Sequence, residues 1–301
     1  MGMEWLRCIR KTIELIENHL TAEITMEEIA MQVYVSPFFL QKGFSVMTGF
    51  SIAEYTRNRR LYQAAIDLKN TDEKILDLAL KYGYETPESF TRAFTRFHGS
   101  TPTQVRLGAR IQTFLPLVID INIHGGNQMN VKIKKIFPFK IIGFEREFSA
   151  AEEFEKIPKF WDEINEQFAE TYAGKTPVTA QERAVADNCI GEYGVCIGQE
   201  RGKTKYLIAG KYTGGEVPEG MTVCEIEGGD FAVFECIGPM PDAIQSVTTK
   251  IFKEWLPGNP DYQLASDVTI EWYDFFNGSV DDPNYRSAVW LPVKAKKNSV
   301  Q

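Results

Sequence analysis

Residues 83–106 read GYETPESFTRAFTRFHGSTPTQVR. Thr86 followed by Pro87 is a helix start: an N-cap hydroxyl, then a proline at the first helical position. Phe90, Ala93, Phe94 and Phe97 repeat at helical spacing and define one apolar face, while Arg92 and Arg96 fall on the other. Gly99 stops the helix. Just upstream, Ile75, Leu78, Ala79 and Tyr82 predict a shorter helix closed by Gly83. The same grammar occurs roughly fifty residues earlier, in YVSPFFLQKGFSVMTGFSIAEYTR. There Thr25 and Glu28 make a capping box, Met26, Ile29, Ala30 and Val33 carry the first helix, and Ser36-Pro37 opens a second that ends at Gly49. Leu40 aligns with Phe90, Lys42 with Arg92, Phe44 with Phe94 and Met47 with Phe97.

A short helix, a tight turn and a second helix with a basic outer face describe a helix-turn-helix. The aromatics dock each second helix on its partner, and the outer face is left to enter a major groove. Between the copies, SIAEYTRNRRLYQAAIDLK predicts a helical connector roughly 25 Å long. It can hold two recognition helices about one DNA turn apart, so that one chain reads two successive grooves.

The charge of the 301-residue chain is −8, but it is unevenly placed. Residues 36–60 hold Lys42, Arg57, Arg59 and Arg60 against Glu54, and residues 86–112 hold Arg92, Arg96, Arg106 and Arg110 against Glu88. These are basic footprints on an acidic protein, as double-stranded DNA requires. No apolar run approaches the ~18 residues of a membrane span, so the expected setting is cytoplasmic with no membrane partner. The five cysteines form no C-x-x-C pair, and with three histidines no zinc spacing arises, so neither a metal nor a cofactor is expected. The scarcity of histidine also argues against Ser-His-Asp or Cys-His catalysis, and no Gly-rich phosphate loop is present.

The pattern S-x-x-x-L-x-[KR]-x-F, the connector bearing Arg59, Arg60, Leu61 and Ala64, and the G-[FY]-x-x-x-x-x-F-x-R-x-F segment followed by G-x-T-P-x-x-x-R resemble the DNA-binding domain of AraC-family transcription regulators over about residues 8–107. The resemblance implies a DNA surface of Ser36, Phe38, Gln41 and Lys42 in the first copy and Thr86, Glu88, Ser89, Arg92 and Arg96 in the second. It also implies RNA polymerase as a protein partner. Lys42 stands where the family commonly has arginine, and Pro87-Glu88 offers no cationic base reader. The second helix is thus suited more to positioning on phosphates than to base choice.

The remainder alternates strand-like and helical runs. VKIKKIFPFKIIGFEREF, a helix around residues 154–171, IGEYGVCIG and KYLIAGKY form one unit. TVCEIEGGDFAVFECIG, a helix around residues 241–256, VTIEWYDF and YRSAVWLPV form another. The expected fold class is α+β: an all-α domain with two helix-turn-helix units (1–112), a connecting strand and turn (113–128, with HGGNQMN at 124–130 as the turn), and an antiparallel-sheet domain of two strand–helix–strand–strand repeats (129–297). The doubled layout, together with GMTVCEIEGGDFAVFECIGPMPDAI and IEWYDF…DDPNYRSAVWLPV, resembles the gyrase-inhibitor-like (GyrI-like) effector-binding domains over about residues 129–296. The two-domain order resembles the Rob-like layout of AraC regulators.

In TIEWYDF, strand alternation puts Ile270 and Trp272 on one face and Glu271 and Tyr273 on the other. On the residues alone Glu271 either faces solvent or lines a cleft. The resemblance implies a carboxylate at the base of an aromatic pocket that takes a small, cationic amphipathic effector. The candidate walls are Trp161, Tyr193, Phe231, Trp272, Tyr273 and Trp290, with Trp272 and Trp290 the tryptophans expected to report binding. Two other readings of this half are a glutamate/tyrosine hydrolase of small electrophiles and a protein-docking module.

Overall fold

The computed structural model describes residues 4–119, 129–149, 153–199, 203–275 and 278–296. The chain divides into two compact units, Leu6–Ile123 and His124–Gln301 with Met1–Trp5.

The helical unit contains α1 (Glu4–Asn18), α2 (Met26–Val33), α3 (Pro37–Thr48), α4 (Ile52–Asn70), α5 (Ile75–Lys81), α6 (Pro87–His98) and α7 (Pro102–Arg106). Its helices begin where side chains satisfy their first amides. Thr25 and Glu28 close a reciprocal capping box, Ser36 accepts from Phe39 N–H and Thr86 from Ser89 N–H. Gly49 and Gly99 end the two longer hairpin helices in the left-handed conformation. The α2–α3 and α5–α6 hairpins flank α4, whose Leu61, Ala64, Ala65 and Leu68 pack with Leu78, Phe90 and Phe94 in one core. Gly83 lies in the second hairpin turn at φ +80°, and a Cβ there would stand 2.7 Å from Arg60 Nη1. That guanidinium reaches onward to the Ala22 carbonyl at 2.9 Å. Tyr34, in the matching turn, takes φ 56° with its ring exposed. Residues 107–119 have no helix or strand, so residues 113–119 are not a connecting strand. Most of the expected turn, residues 124–128, lies outside the described residues.

The second unit is one antiparallel sheet with strand order β1-β6-β9-β8-β3-β4-β2-β5, with β7 on the β9 side. The strands are β1 (Val131–Ile136), β2 (Phe139–Ser149), β3 (Tyr193–Gly198), β4 (Lys203–Lys211), β5 (Thr222–Ile226), β6 (Gly229–Ile237), β7 (Tyr262–Leu264), β8 (Val268–Tyr273) and β9 (Arg286–Ala295). The order is a palindrome of the two repeats: β1 answers β5, β6 answers β2, β9 answers β4 and β8 answers β3. The first strand of each repeat pairs with the other repeat, so neither half closes its sheet alone.

The helices lie on one face of this sheet. From α8 (Glu153–Gln167), Phe160 packs on Phe148, and just beyond its end Phe168 stacks on Phe144, with ring centroids 6.1 and 5.2 Å apart. In the second repeat α11 (Asp242–Lys250) runs into a π-helical turn (Ile251–Trp255) and the short α12 (Leu256–Gly258), and Trp255 packs edge-on against Phe234 at 4.9 Å. Two short helices, α9 (Ala169–Tyr172) and α10 (Ala180–Asp187), precede β3. The opposite face holds a second core of Ile141, Tyr193, Val195, Leu207, Phe231, Val233 and Ile270. Here Phe139 meets Tyr193 at 5.9 Å and Tyr193 meets Trp290 at 6.1 Å, each pair reaching across an intervening strand. Strands two apart are separated by roughly 9.6 Å, so these rings lean toward each other over the strand between them.

Candidate functional site

On the helical unit, the second recognition helix carries Glu88, Arg92 and Arg96 four residues apart, all exposed on one stripe. Thr86 is exposed at its N-cap, and Ser89 donates its hydroxyl to the Thr86 carbonyl at 2.8 Å. The equivalent stripe of α3 is Phe38, Lys42 and Val46, with Gln41 beside it. Gln41 and Lys42 are partly exposed, but Phe38 is buried at 7%. Its ring packs against Phe39 and lies 5.8 Å below the Lys42 ammonium. Phe38 is therefore core that supports Lys42, not a side chain presented to DNA. The basic footprint of residues 36–60 is also smaller than its composition suggests. Arg59 is buried and forks onto the Glu17 carboxylate, and Arg60 serves the end of α1. Of the four basic side chains there, Arg57 is exposed and Lys42 is partly so.

In the sheet unit, one row running across six strands reads Phe234, Val289, Glu271, Gly194, Ile208, Phe144. Outward from its centre the two halves match in kind, Val289 with Ile208 and Phe234 with Phe144, but one central position is glutamate and the other glycine. Glu271 and Gly194 are equivalent in the two repeats and are also directly paired, so the pseudo-two-fold axis passes between them. A Cβ on Gly194 would meet the Tyr206 hydroxyl at 2.2 Å and Glu271 Oε2 at 3.0 Å. The absence of a side chain there is what lets Tyr206 reach the carboxylate.

Two phenols converge on one oxygen. Tyr206, from β4, and Tyr273, from β8, each donate to Glu271 Oε2 at 3.0 Å. Trp161, from α8, donates its indole N–H to the Tyr206 hydroxyl at 2.8 Å, and its ring stands edge-on to Tyr273 at 5.2 Å. Burial, and then the charge of Glu271, pushes both phenols far above the ordinary tyrosine range. They therefore stay protonated and remain donors. Tyr206 is 1% exposed, whereas Glu271, Tyr273 and Trp161 are all partly accessible. On the same face, Thr269 Oγ1 is buried with no hydrogen-bond partner. The arrangement is a solvent-reachable carboxylate, oriented by two neutral donors and walled by aromatic rings.

The structure thus joins Glu271, Tyr273 and Trp161. It places Tyr193, Phe231, Trp272 and Trp290 on the opposite face. The reason is strand alternation: Trp272 neighbours Glu271 in sequence and for that reason points the other way. There Trp272 donates its N–H to Glu192 at 3.0 Å. Tyr206 and Gly194 were missed. The alternation in KTKYLIAGK could have assigned Tyr206 to a face, but only the register aligns it with Glu271. Among the described residues no group of three His, Cys, Asp or Glu side chains is placed to hold a metal ion, and no helix is long and apolar enough to cross a membrane.

Comparison with known proteins separates the same two parts. Residues 29–108 match the helix-turn-helix domain family, and residues 132–293 match the Cass2 family, the integron-associated effector binding proteins. The Right origin-binding protein of Escherichia coli (strain K12) is 28% identical over 175 residues, 58% of this chain and 60% of its own length. The chain therefore spans less than two thirds of that relative. Regulatory protein SoxS of Salmonella typhimurium is 33% identical over 104 residues, 35% of this chain and 97% of SoxS. A solved structure of SAV2435 bound to tetraphenylphosphonium is 20% identical, with a TM-score of 0.44, and covers 55% of this chain and 94% of that one. The symmetric sheet with its single central carboxylate is thus the effector-binding module of a chain that belongs to the Cass2 family and carries an AraC-type helix-turn-helix domain ahead of it.

Proposed function

We propose that this protein is a DNA-binding transcription regulator in which the paired hairpins read one asymmetric duplex site and the sheet domain senses a small cationic, aromatic effector at Glu271. The observation that carries the effector reading is the partly accessible carboxylate on the pseudo-dyad, held by Tyr206 and Tyr273 and bordered by Trp161. An anionic group amid neutral donors and ring faces attracts an organic cation by charge and by cation–π contact. Trp161 stands against Tyr273, so a bulky ligand reaches the carboxylate by displacing that indole. The reading on the DNA side rests on the exposed Arg92–Arg96 stripe and on Lys42 above Phe38, together with the kinship of residues 29–108 to helix-turn-helix domains. RNA polymerase is the partner such a regulator would act upon, and the cytoplasm is its setting.

The test is a titration with a quaternary aromatic cation. It should alter Trp161 emission, and replacing Trp161 by Phe should abolish most of the signal. The cation should also change the affinity of the full chain for its duplex without being consumed. Consumption of an electrophilic ester by the parent, lost in Glu271→Gln, would instead favour the hydrolase reading. Equal affinity of parent and Glu271→Gln for every cation tried would remove the support for a charge-based sensor.

A further inference from the structure

Residues 109–119 have no regular secondary structure, yet side chains of the helical unit hold their backbone at three points. His98 Nδ1 accepts from Gln112 N–H at 3.1 Å, while Nε2 of the same ring donates to the Leu61 carbonyl at 3.1 Å. Arg59 donates to the Phe114 carbonyl, and its Nε and Nη2 each reach Glu17 at 2.8 Å. The Tyr55 hydroxyl accepts from Leu117 N–H at 3.2 Å and donates to the same Glu17 at 2.7 Å. A network therefore runs from Leu117 through Tyr55, Glu17 and Arg59 back to Phe114, joining α1, α4 and this segment. Such coupled buried bonds act as a unit.

The aromatic residue of this segment is Phe114. Its ring lies 5.4 Å from Phe50, 6.0 Å from Tyr55 and 6.0 Å from Phe97. Phe50 lies two residues past the end of the first recognition helix, in the turn into the connector, Tyr55 belongs to the connector and Phe97 belongs to the second recognition helix. A single ring thus touches the second reader, the connector and the turn that joins the first reader to that connector.

We propose that residues 109–119 form a clasp and that Phe114 is a positioning residue, fixing the two recognition helices relative to each other and so setting the spacing of the two major-groove contacts. The proposal rests on the DNA-binding reading above. It adds that spacing is held by a segment outside both hairpins. Each base pair shifts the next contact by about 3.4 Å and turns it by roughly a tenth of the helix, so a rigid reader tolerates no insertion.

The experiment uses the full chain and duplexes selected by the parent from a random-sequence pool. One base pair is then added or removed between the two protected segments. The parent should lose about tenfold or more in affinity for each change. Phe114→Ala, confirmed folded by its thermal melt, should bind the original duplex more weakly and lose less than about threefold on the same changes. Phe114→Leu should restore the parent's spacing dependence. Identical spacing penalties in Phe114→Ala and the parent would overturn the clasp. If Phe114→Ala does not fold, Leu117→Pro removes a single backbone donor and is read the same way. A parent that selects no duplex overturns the DNA-binding reading and the clasp with it, an outcome distinct from equal penalties.

Discussion

Both halves of this chain are built from two repeats, and the pairs have diverged in opposite ways. In the helical unit the two hairpins retain matching chemistry: Ser36 and Thr86 as N-caps, Leu40 and Phe90 in the core, Lys42 and Arg92 on the outer face, Gly49 and Gly99 as stops. In the sheet unit the central pair is unlike, Glu271 against Gly194. On the proposed function, the geometry of each task accounts for this. Two major grooves are two separate places, and each needs its own cation and its own docked helix. A ligand on a symmetry axis is a single object. Equivalent side chains there would occupy one volume, and two carboxylates would repel and raise each other's pKa. One half supplies the charge and the other supplies the space, filled in turn by Tyr206.

The largest effect should come from erasing the asymmetric charge. Glu271→Gln keeps the shape and should weaken an aromatic cation by about 1.5–3 kcal/mol, as for a charge-assisted contact, while sparing a neutral ligand of the same size. Calorimetric titration of both ligands checks it. Effector-free DNA affinity should not move.

Filling the empty half comes next. Gly194→Ala places a methyl against the Tyr206 hydroxyl and should destabilise the sheet unit by about 1–3 kcal/mol, the usual range for overpacking. Adding Tyr206→Phe removes the closest clashing atom and should recover part of that loss in a denaturant melt. No recovery would mean that Gly194 serves the backbone and not the site.

Smaller effects should sharpen the likeness of the two readers. Lys42→Ala and Arg92→Ala should each flatten the salt dependence of DNA binding by about one counterion if they contact phosphate. A loss confined to certain operator sequences would assign that side chain to a base edge. Fluorescence anisotropy at several salt concentrations distinguishes the two.

The smallest effect is a pH dependence confined to the helical unit. Burial, with a lesser push from Lys69, lowers the His98 pKa below 6.5, and its hydrogen bond to the Leu61 carbonyl opposes this only in part. A depressed histidine contributes stability that is full above the unfolded value and lost as pH falls through the folded one. The stability of the helical unit should therefore fall as pH drops below about 6.5, which thermal melts at a series of pH values check. His98→Gln should remove that dependence.

Much of this architecture was legible because its causes are local. Capping hydroxyls, Pro at the first helical position, left-handed glycines and helical spacing of Phe90 and Phe94 act within one turn of chain, so the double hairpin could be read directly. Period-two alternation likewise separates Glu271 and Tyr273 from Trp272, and that alternation holds in the sheet, which puts Trp272 and Trp290 away from Glu271. What the sequence by itself determined is therefore the principal helices and strands, their faces, and which side chains are able to carry charge. Only the tertiary structure decided that Gly194 lies opposite Glu271, that Tyr206 and Trp161 arrive from other elements to orient it, that Phe38 and Arg59 belong to the interior, and that Phe114 packs among Phe50, Tyr55 and Phe97. Each of those depends on register or on packing between segments tens of residues apart. Pairing of that kind is fixed by the summed burial of whole faces, which no short stretch of residues encodes alone.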